Sequence, residues 1–150
     1  MILVAKYFFI IPVLMPIVYG LFQPRPVQKR ILLLAVISLP LTYIVAKIGS
    51  HFYFDPRPFV VMHVKPLIPH IADNGFPSDH ELISAAFASI LFVFNKKWGI
   101  VAFILAILIG YSRVYTLVHH PLDIVGSFVI SIVVMVAVVY GLRRFFRFGI

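Results

Sequence analysis

The sequence has no cysteine and few charged residues. Without cysteine, its 150 residues can form no disulfide, thiolate nucleophile or thiolate metal site. Only 12% of the residues are charged and 62% are hydrophobic, whereas a soluble domain is about 25% charged and about 45–50% apolar. This composition predicts an integral membrane protein. It leaves no room for a separate soluble domain, so residues 1–150 are interpreted as one membrane domain.

Five apolar segments are long enough, or nearly so, to cross a bilayer as helices, which takes about 20 residues. They cover residues 4–21, 31–49, 78–94, 98–114 and 122–142. We therefore predict an all-α fold, a polytopic bundle of about five transmembrane helices. The first segment is interpreted as a retained helix rather than a signal peptide. Pro12 and Pro16 are expected to kink it.

The connection 51–77 differs from the rest of the chain because it contains five prolines. Proline at this density excludes a regular helix, and irregular backbone cannot face lipid. The loop should therefore lie outside the hydrocarbon or line a polar cavity. Its polar residues His51, His63, His70 and Asp73 have no compact metal-ligand spacing, so they are interpreted as solvated loop residues and no metal site is predicted.

The order of the helices sorts the basic residues between two faces. The face that receives the connection 51–77 has five, namely Lys6, Lys47, Arg57, Lys65 and Arg113. The opposite face has eight, namely Arg25, Lys29, Arg30, Lys96, Lys97, Arg143, Arg144 and Arg147. The excess predicts that the opposite face is cytoplasmic, so the polar loops should face outward. Because the net charge of +8 is spread over such short clusters, no nucleic-acid partner is expected.

Polar residues from separate helices converge on the outward face, where charged groups in a membrane protein usually mark function. They are Arg57, Ser78, Asp79, His80, Arg113, His119 and Asp123. Two arginines near a helix N-terminus make an anion site. Ser78 and Glu81 also have capping-box spacing, so Glu81 is interpreted as a helix cap, whereas Ser78 is kept as a candidate at the anion site.

The histidines add reactivity to this anion site. His119 and Asp123 are four residues apart at a predicted helix start, so their side chains can meet on one face. A carboxylate on one imidazole nitrogen fixes the tautomer and leaves the other nitrogen free to attack. His80 comes from another helix and can protonate a leaving oxygen.

These residues resemble three motifs of the type 2 phosphatidic acid phosphatase superfamily. Ser112-Arg113, five residues, His119, three residues and Asp123 match its third motif. The run Pro77-Ser78-Asp79-His80 resembles its second motif, and Arg57-Pro58 resembles the end of its first.

The resemblance implies a role for each matched residue. His119 would form a phosphohistidine that Asp123 orients, and His80 would be the general acid. The residues that would bind substrate phosphate are Arg57, Arg113 and Ser78. Resemblance to the lipid phosphatase branch of this family also implies a lipid substrate in the bilayer and no metal or other cofactor.

The chain departs from the family pattern at three points. The family's motif lysine would stand where Ser50 lies, and the nearest candidate for phosphate binding is Lys47. Asp79 replaces a glycine, a variant similar to that of bacterial undecaprenyl-pyrophosphate phosphatases, so it too is a candidate at the phosphate site. Five helices rather than the usual six favour a homo-oligomer.

Together these features predict an enzyme of the cell membrane that removes a phosphate from undecaprenyl pyrophosphate and so recycles the cell-wall carrier lipid. Phosphatidate and phosphatidylglycerophosphate are the alternative substrates. The alternative of another class is a small channel or transporter subunit. Such a protein should carry charges near the middle of its helices, whereas here they cluster at helix ends.

Overall fold

The computed structural model describes residues 1–146, and this part of the chain is all-helical, as predicted. Its seven helices are α1 (Ile2–Tyr7), α2 (Ile10–Leu21), α3 (Arg25–Phe52), α4 (Pro58–Val61), α5 (Asp79–Phe94), α6 (Lys96–Tyr115) and α7 (Pro121–Phe146). Within the described range the β-structure is confined to an isolated bridge between Pro56 and Asn74. Arg147, predicted on the cytoplasmic face, lies outside the described residues.

Three helices, α3, α6 and α7, are long and apolar enough to cross a membrane. The chain is therefore a multi-pass membrane protein. Of the other two predicted spans, the first is divided, so that α2 has only 12 residues, whereas α5, with 16 residues, matches its predicted range 78–94 to within one residue. At 1.5 Å per residue, α5 is about 24 Å long, less than the hydrocarbon thickness of about 30 Å.

The first apolar segment is broken rather than bent. It divides into α1 and α2 at Phe8 and Phe9, one turn before Pro12. Proline has no N–H to donate to the carbonyl four residues earlier, which here is that of Phe8. The Phe8 carbonyl instead accepts a shorter-range bond from Ile11 N at 2.9 Å. Pro16 lies inside α2 without ending it.

Helix α5 is the centre of the bundle, and α2, α3, α6 and α7 all pack against it. Small buried residues allow the close approach of α5 and α6, among them Ala85, Ala88, Ala102 and Ala106. Two serines of α7 also bond to backbone carbonyls at α5: Ser127 Oγ to Ser78 O at 3.1 Å and Ser131 Oγ to Leu82 O at 3.0 Å. The start of α5 is thus fixed against α7.

Four helix ends meet at one end of the bundle, as the order of the segments predicts. The connection after α3 contacts the connection after α6 through Phe59 N and Leu117 O, 3.2 Å apart. The start of α5 contacts the start of α7 through Ser78 N and Asp123 O, 3.5 Å apart. At the opposite end Asn95 links α5 to α6, and its side chain caps α6 by accepting from Trp98 N.

The predicted capping box at the start of α5 is wrong. Ser78 is the N-cap residue, but its side chain makes no cap hydrogen bond. Glu81 does not reach back to it and is instead fully buried, with no hydrogen-bond partner for either carboxylate oxygen. It packs against α6, where a Cβ on Gly110 would lie 2.7 Å from Glu81 Oε2. Burial against α6 therefore takes precedence over local capping.

Candidate active site

The loop between α3 and α5 is fixed by one asparagine. Asn74 Nδ2 donates to the carbonyls of Ser50 (3.1 Å) and Tyr53 (3.0 Å) at the end of α3. Its Oδ1 accepts from Asp55 N (2.9 Å) and Phe76 N (3.0 Å). The side chain thus forms hydrogen bonds with backbone groups on both sides of the loop. Asparagine often makes such bonds in irregular segments. We had not predicted this role.

Gly75 allows the loop to pass directly over α7. A Cβ at this position would lie 3.0 Å from both Asp123 Oδ2 and the Asp55 carbonyl oxygen. Absence of a side chain therefore lets the loop backbone close over Asp123. As a result, residues predicted in separate segments meet in one buried layer.

His119 and Asp123 meet as their spacing predicts. His119 Nδ1 lies 3.2 Å from Asp123 Oδ2, and both residues are buried. The other nitrogen, Nε2, lies 3.3 Å from Arg57 Nη1 and 3.4 Å from Arg113 Nη2. Guanidinium groups only donate, so Nε2 must be the acceptor nitrogen and Nδ1 carries the proton that faces Asp123.

This tautomer is also the neutral form of the ring. His119 lies in the connection between α6 and α7, where burial and the charges of Arg113 and Arg57 hold its pKa far below the ordinary value. Each of these causes disfavours the imidazolium ion. His119 is therefore a neutral imidazole with an unprotonated nitrogen between two cations.

Arg57 is held by the loop that precedes α5. Its Nε donates to Asp73 Oδ1 at 2.6 Å, Nη1 to the Val118 carbonyl at 2.7 Å and Nη2 to the Asn74 carbonyl at 3.4 Å. Asp73 is exposed, as expected of a solvated loop residue, but it also forms this ion pair, which the sequence did not predict. Burial raises the pKa of Asp73, but the hydrogen bond and charge of Arg57 outweigh it and the net shift is downward.

Arg113 is held by contacts with α1 and with the loop before α5. Its Nη1 donates to the Ala5 carbonyl at 3.2 Å, and its Nη2 lies 3.1 Å from His70 Nε2. His70 is therefore part of the site rather than a solvated loop residue, and its ring centroid is 6.1 Å from that of His119. Burial and the charges of Arg57 and Arg113 lower the pKa of His70.

The other loop histidines behave as expected. His51 and His63 are exposed. Over residues 1–146, no group of histidines and carboxylates could hold a metal ion. His70 and Asp73 differ from them because each is bonded to an arginine that faces His119.

The second predicted motif lies beside this centre. Ser78 is completely buried and its Oγ has no hydrogen-bond partner. His80 is partly buried in the first turn of α5, with its ring centroid 4.6 Å from that of Phe9. It lies within electrostatic reach of Arg113 and His119.

Lys47 and Asp79 lie at a polar cavity of about 170 Å³ next to Arg57. Other polar residues that line it are Ser50, Asp73 and Asn74. The cavity thus brings Lys47 to the same side of Arg57 as Asp79, although Lys47 is three residues away from the family's usual position. Asp79 itself is exposed, so its carboxylate is not forced against the buried layer.

A second carboxylate, that of Asp55, is linked to Asp123 through His120. His120 N donates to Asp123 Oδ2 at 2.9 Å, and its ring Nε2 lies 3.7 Å from Asp55 Oδ1. Burial and the charge of Asp123 raise the pKa of Asp55. No motif pointed to Asp55, because its place depends on how the loop folds back.

The arrangement combines a neutral imidazole with a cationic site that suits an anion. The carboxylate of Asp123 orients His119, and two guanidinium groups converge on the nitrogen that is free to attack. Such a centre is suited to phosphoryl transfer, in which the protein must chiefly position groups and balance negative charge.

Several known proteins are similar to this chain in sequence or in structure. Undecaprenyl-diphosphatase BcrC of Bacillus subtilis (strain 168) is 32% identical over 137 residues, which are 89% of this chain and 69% of that protein. A Bacillus licheniformis protein named bacitracin transport permease protein BcrC is 32% identical over 130 residues, 85% of this chain and 63% of that protein.

Among solved structures, Aquifex aeolicus LpxE superposes with a TM-score of 0.74 at 25% identity, over 91% of this chain and 83% of that one. The family profile described as "PAP2 superfamily" matches residues 30–147, which include all three predicted motifs. This chain belongs to the PAP2 superfamily.

Proposed function

We propose that the chain is a membrane phosphatase that hydrolyses undecaprenyl pyrophosphate to undecaprenyl phosphate and inorganic phosphate. The observation that carries this proposal is the position of His119: one ring nitrogen faces Asp123 and the other lies between Arg57 and Arg113. The name of the Bacillus subtilis relative supports the substrate.

In the first step, His119 Nε2 attacks the terminal phosphorus of the pyrophosphate. An N–P bond forms while the bond from that phosphorus to the bridging oxygen breaks, which releases undecaprenyl phosphate. Arg57 and Arg113 balance the charge on the transferred phosphoryl group. Asp123 accepts a hydrogen bond from the Nδ1–H group and stabilises the positive charge that develops on the ring.

In the second step, water attacks the phosphohistidine. Its oxygen bonds to phosphorus, the N–P bond breaks, and inorganic phosphate leaves with the Nε2 lone pair restored. His80 would give a proton to the leaving oxygen in the first step and take one from water in the second. Its place in the first turn of α5, beside this centre, supports that role.

The polar cavity next to Arg57 supports a substrate with two phosphates. When the terminal phosphate lies between the arginines, the lipid-side phosphate could extend toward Lys47, which lines this cavity. Ser78 Oγ is buried and makes no hydrogen bond within the protein, so it could donate to a phosphate oxygen. A monophosphate lipid such as phosphatidate would leave the Lys47 contact unused.

We also propose that the site faces away from the cytoplasm, because seven described basic residues lie at the other end of the bundle. The transport name of the second relative corresponds to the alternative class, a transporter. A transporter needs its polar groups along a path through the bilayer. The carboxylates here lie at one end only, which favours the phosphatase.

The test is phosphate release by purified protein from undecaprenyl pyrophosphate in detergent micelles. Wild type should turn over, whereas His119→Ala should release none above background while remaining folded. His80→Ala should lose about 10²–10⁴-fold. The matched control is His63→Asn at an exposed loop histidine with positive φ, a conformation that asparagine tolerates. It should keep wild-type turnover.

The same assay separates the substrates. We expect kcat/KM to be higher for undecaprenyl pyrophosphate than for phosphatidate, and Lys47→Ala to narrow the difference. Equal or faster release from phosphatidate would rule out the carrier lipid. Turnover by folded His119→Ala would rule out the covalent route.

A further inference from the structure

Among the described residues, the charged side chains at the end of the bundle opposite the site are all basic. All five carboxylates of the sequence lie in the loop before α5 or in the first turns of α5 and α7: Asp55, Asp73, Asp79, Glu81 and Asp123. The basic residues at the opposite end, within the described range, are Arg25, Lys29, Arg30, Lys96, Lys97, Arg143 and Arg144. The described side chains at this end therefore carry an excess of positive charge.

A groove opens between α6 and α7 at that end. Both helices pack on α5, but they have few contacts with each other. The space between them has a volume of about 740 Å³, within the usual range of ligand sites. Its lining is mostly apolar and includes Phe92, Phe103, Met135 and Val136.

Two cations also line this groove, one from each wall. Lys96 begins α6 and Arg143 lies in the last turn of α7, so both are at the basic end. Their neighbours Lys97 and Arg144 are also exposed but do not line the groove. The groove thus combines an apolar channel along the helices with a cationic mouth at the membrane surface.

We propose that this groove binds an anionic phospholipid, with an acyl chain on the apolar lining and the phosphodiester between Lys96 and Arg143. Charge complementarity selects this occupant, because basic pockets between transmembrane helices bind anionic headgroups. A phosphodiester lipid has no terminal phosphate to hydrolyse, so it is a ligand here and not a substrate. The inference does not depend on the proposed function.

The test is the melting temperature of the purified protein in phosphatidylcholine nanodiscs as phosphatidylglycerol is added. A lipid that binds only the folded protein raises it. If each cation contributes about 1 kcal/mol, Lys96→Gln with Arg143→Gln should weaken apparent phosphatidylglycerol affinity about 30-fold. Lys97→Gln with Arg144→Gln removes the same charge outside the groove. This variant should keep nearly the same rise in melting temperature with phosphatidylglycerol as wild type.

A second pair of variants tests the apolar part without changing charge. Val136 lines the groove, whereas Val133 is similarly exposed on the same helix but does not. Val136→Trp should abolish the rise in melting temperature that phosphatidylglycerol causes, whereas Val133→Trp should retain this rise.

Three results would overturn the proposal. The first is an equal loss in both double glutamine variants, which would mean general surface attraction. The second is equal stabilisation by phosphatidylcholine and phosphatidylglycerol. The third is a concentration-dependent dimer that Val136→Trp disrupts without any lipid dependence, which would assign the groove to a second copy of the chain.

Discussion

His70 Nε2 lies 3.1 Å from Arg113 Nη2, and the same Nη2 lies 3.4 Å from His119 Nε2. One guanidinium nitrogen is therefore shared between a loop histidine and the proposed nucleophile. Because Nη2 can donate in two directions, His70 fixes the plane of the guanidinium group toward His119. His70 is thus expected to act as a positioning residue.

Replacing His70 should lower catalysis through Arg113. In His70→Ala the Nη2 donor loses its acceptor, so we expect kcat to fall about tenfold or more, the effect of a misplaced charge-assisted donor. His70→Gln retains an acceptor oxygen and should recover much of the loss. The measurement is kcat and KM for each variant. Equal losses of kcat in both variants would instead indicate a purely structural role for His70.

Stability should depend on pH below neutrality. The pKa values of His70 and His119 are held below the ordinary 6.5 by burial and by the two arginines. The folded protein therefore binds fewer protons than the unfolded chain at pH below about 6.5, so stability is lost as pH falls through that value. Melting temperature should decline between pH 7 and 5, and less steeply in His70→Gln. An identical slope in that variant would contradict this origin.

Gly75 should be far less tolerant of a side chain than another glycine of the chain. In Gly75→Ala the new Cβ would lie 3.0 Å from Asp123 Oδ2 and from a backbone oxygen, so the loop must move away from α7. We expect a loss of phosphate release of at least tenfold, because small displacements of catalytic groups are costly. The matched control is Gly141→Ala, since a Cβ there meets nothing within 4 Å. Similar activity in both variants would contradict this account.

The absence of cysteine makes the orientation directly testable. His63→Cys lies in the exposed loop at the site end, and Lys97→Cys lies at the opposite end of the bundle. In intact cells an impermeant thiol reagent should label the first variant and leave the second unlabelled. The reverse pattern would place the site in the cytoplasm.

The sequence predicts the part of the site that local spacing controls. His119 and Asp123 meet because a four-residue separation at a helix start brings two side chains together. Arg57 and Arg113 reach His119 because the order of the helices places their ends at one side of the bundle. These contacts need only helix geometry and the direction of each segment.

The parts that spacing does not control were missed or misread. His70 and Asp73 contact arginines 43 and 16 residues away, through a loop without regular structure. Glu81 has the spacing of a cap, yet it is buried against α6, because Gly110 leaves room that no local pattern reveals. The first apolar segment was predicted as one kinked helix, but the structure divides it at Phe8 and Phe9, a break that hydropathy alone does not reveal.

The bond from Arg113 Nη1 to the Ala5 carbonyl joins positions 108 residues apart in the sequence. The layer around His119 thus draws on α1, the loop after α3, the end of α6 and the start of α7. A chain is made from its N-terminus, so α1 and α3 exist before α7. A chain that stops after α6 would lack His119 and Asp123, so the phosphate site cannot form until the start of α7 has been made.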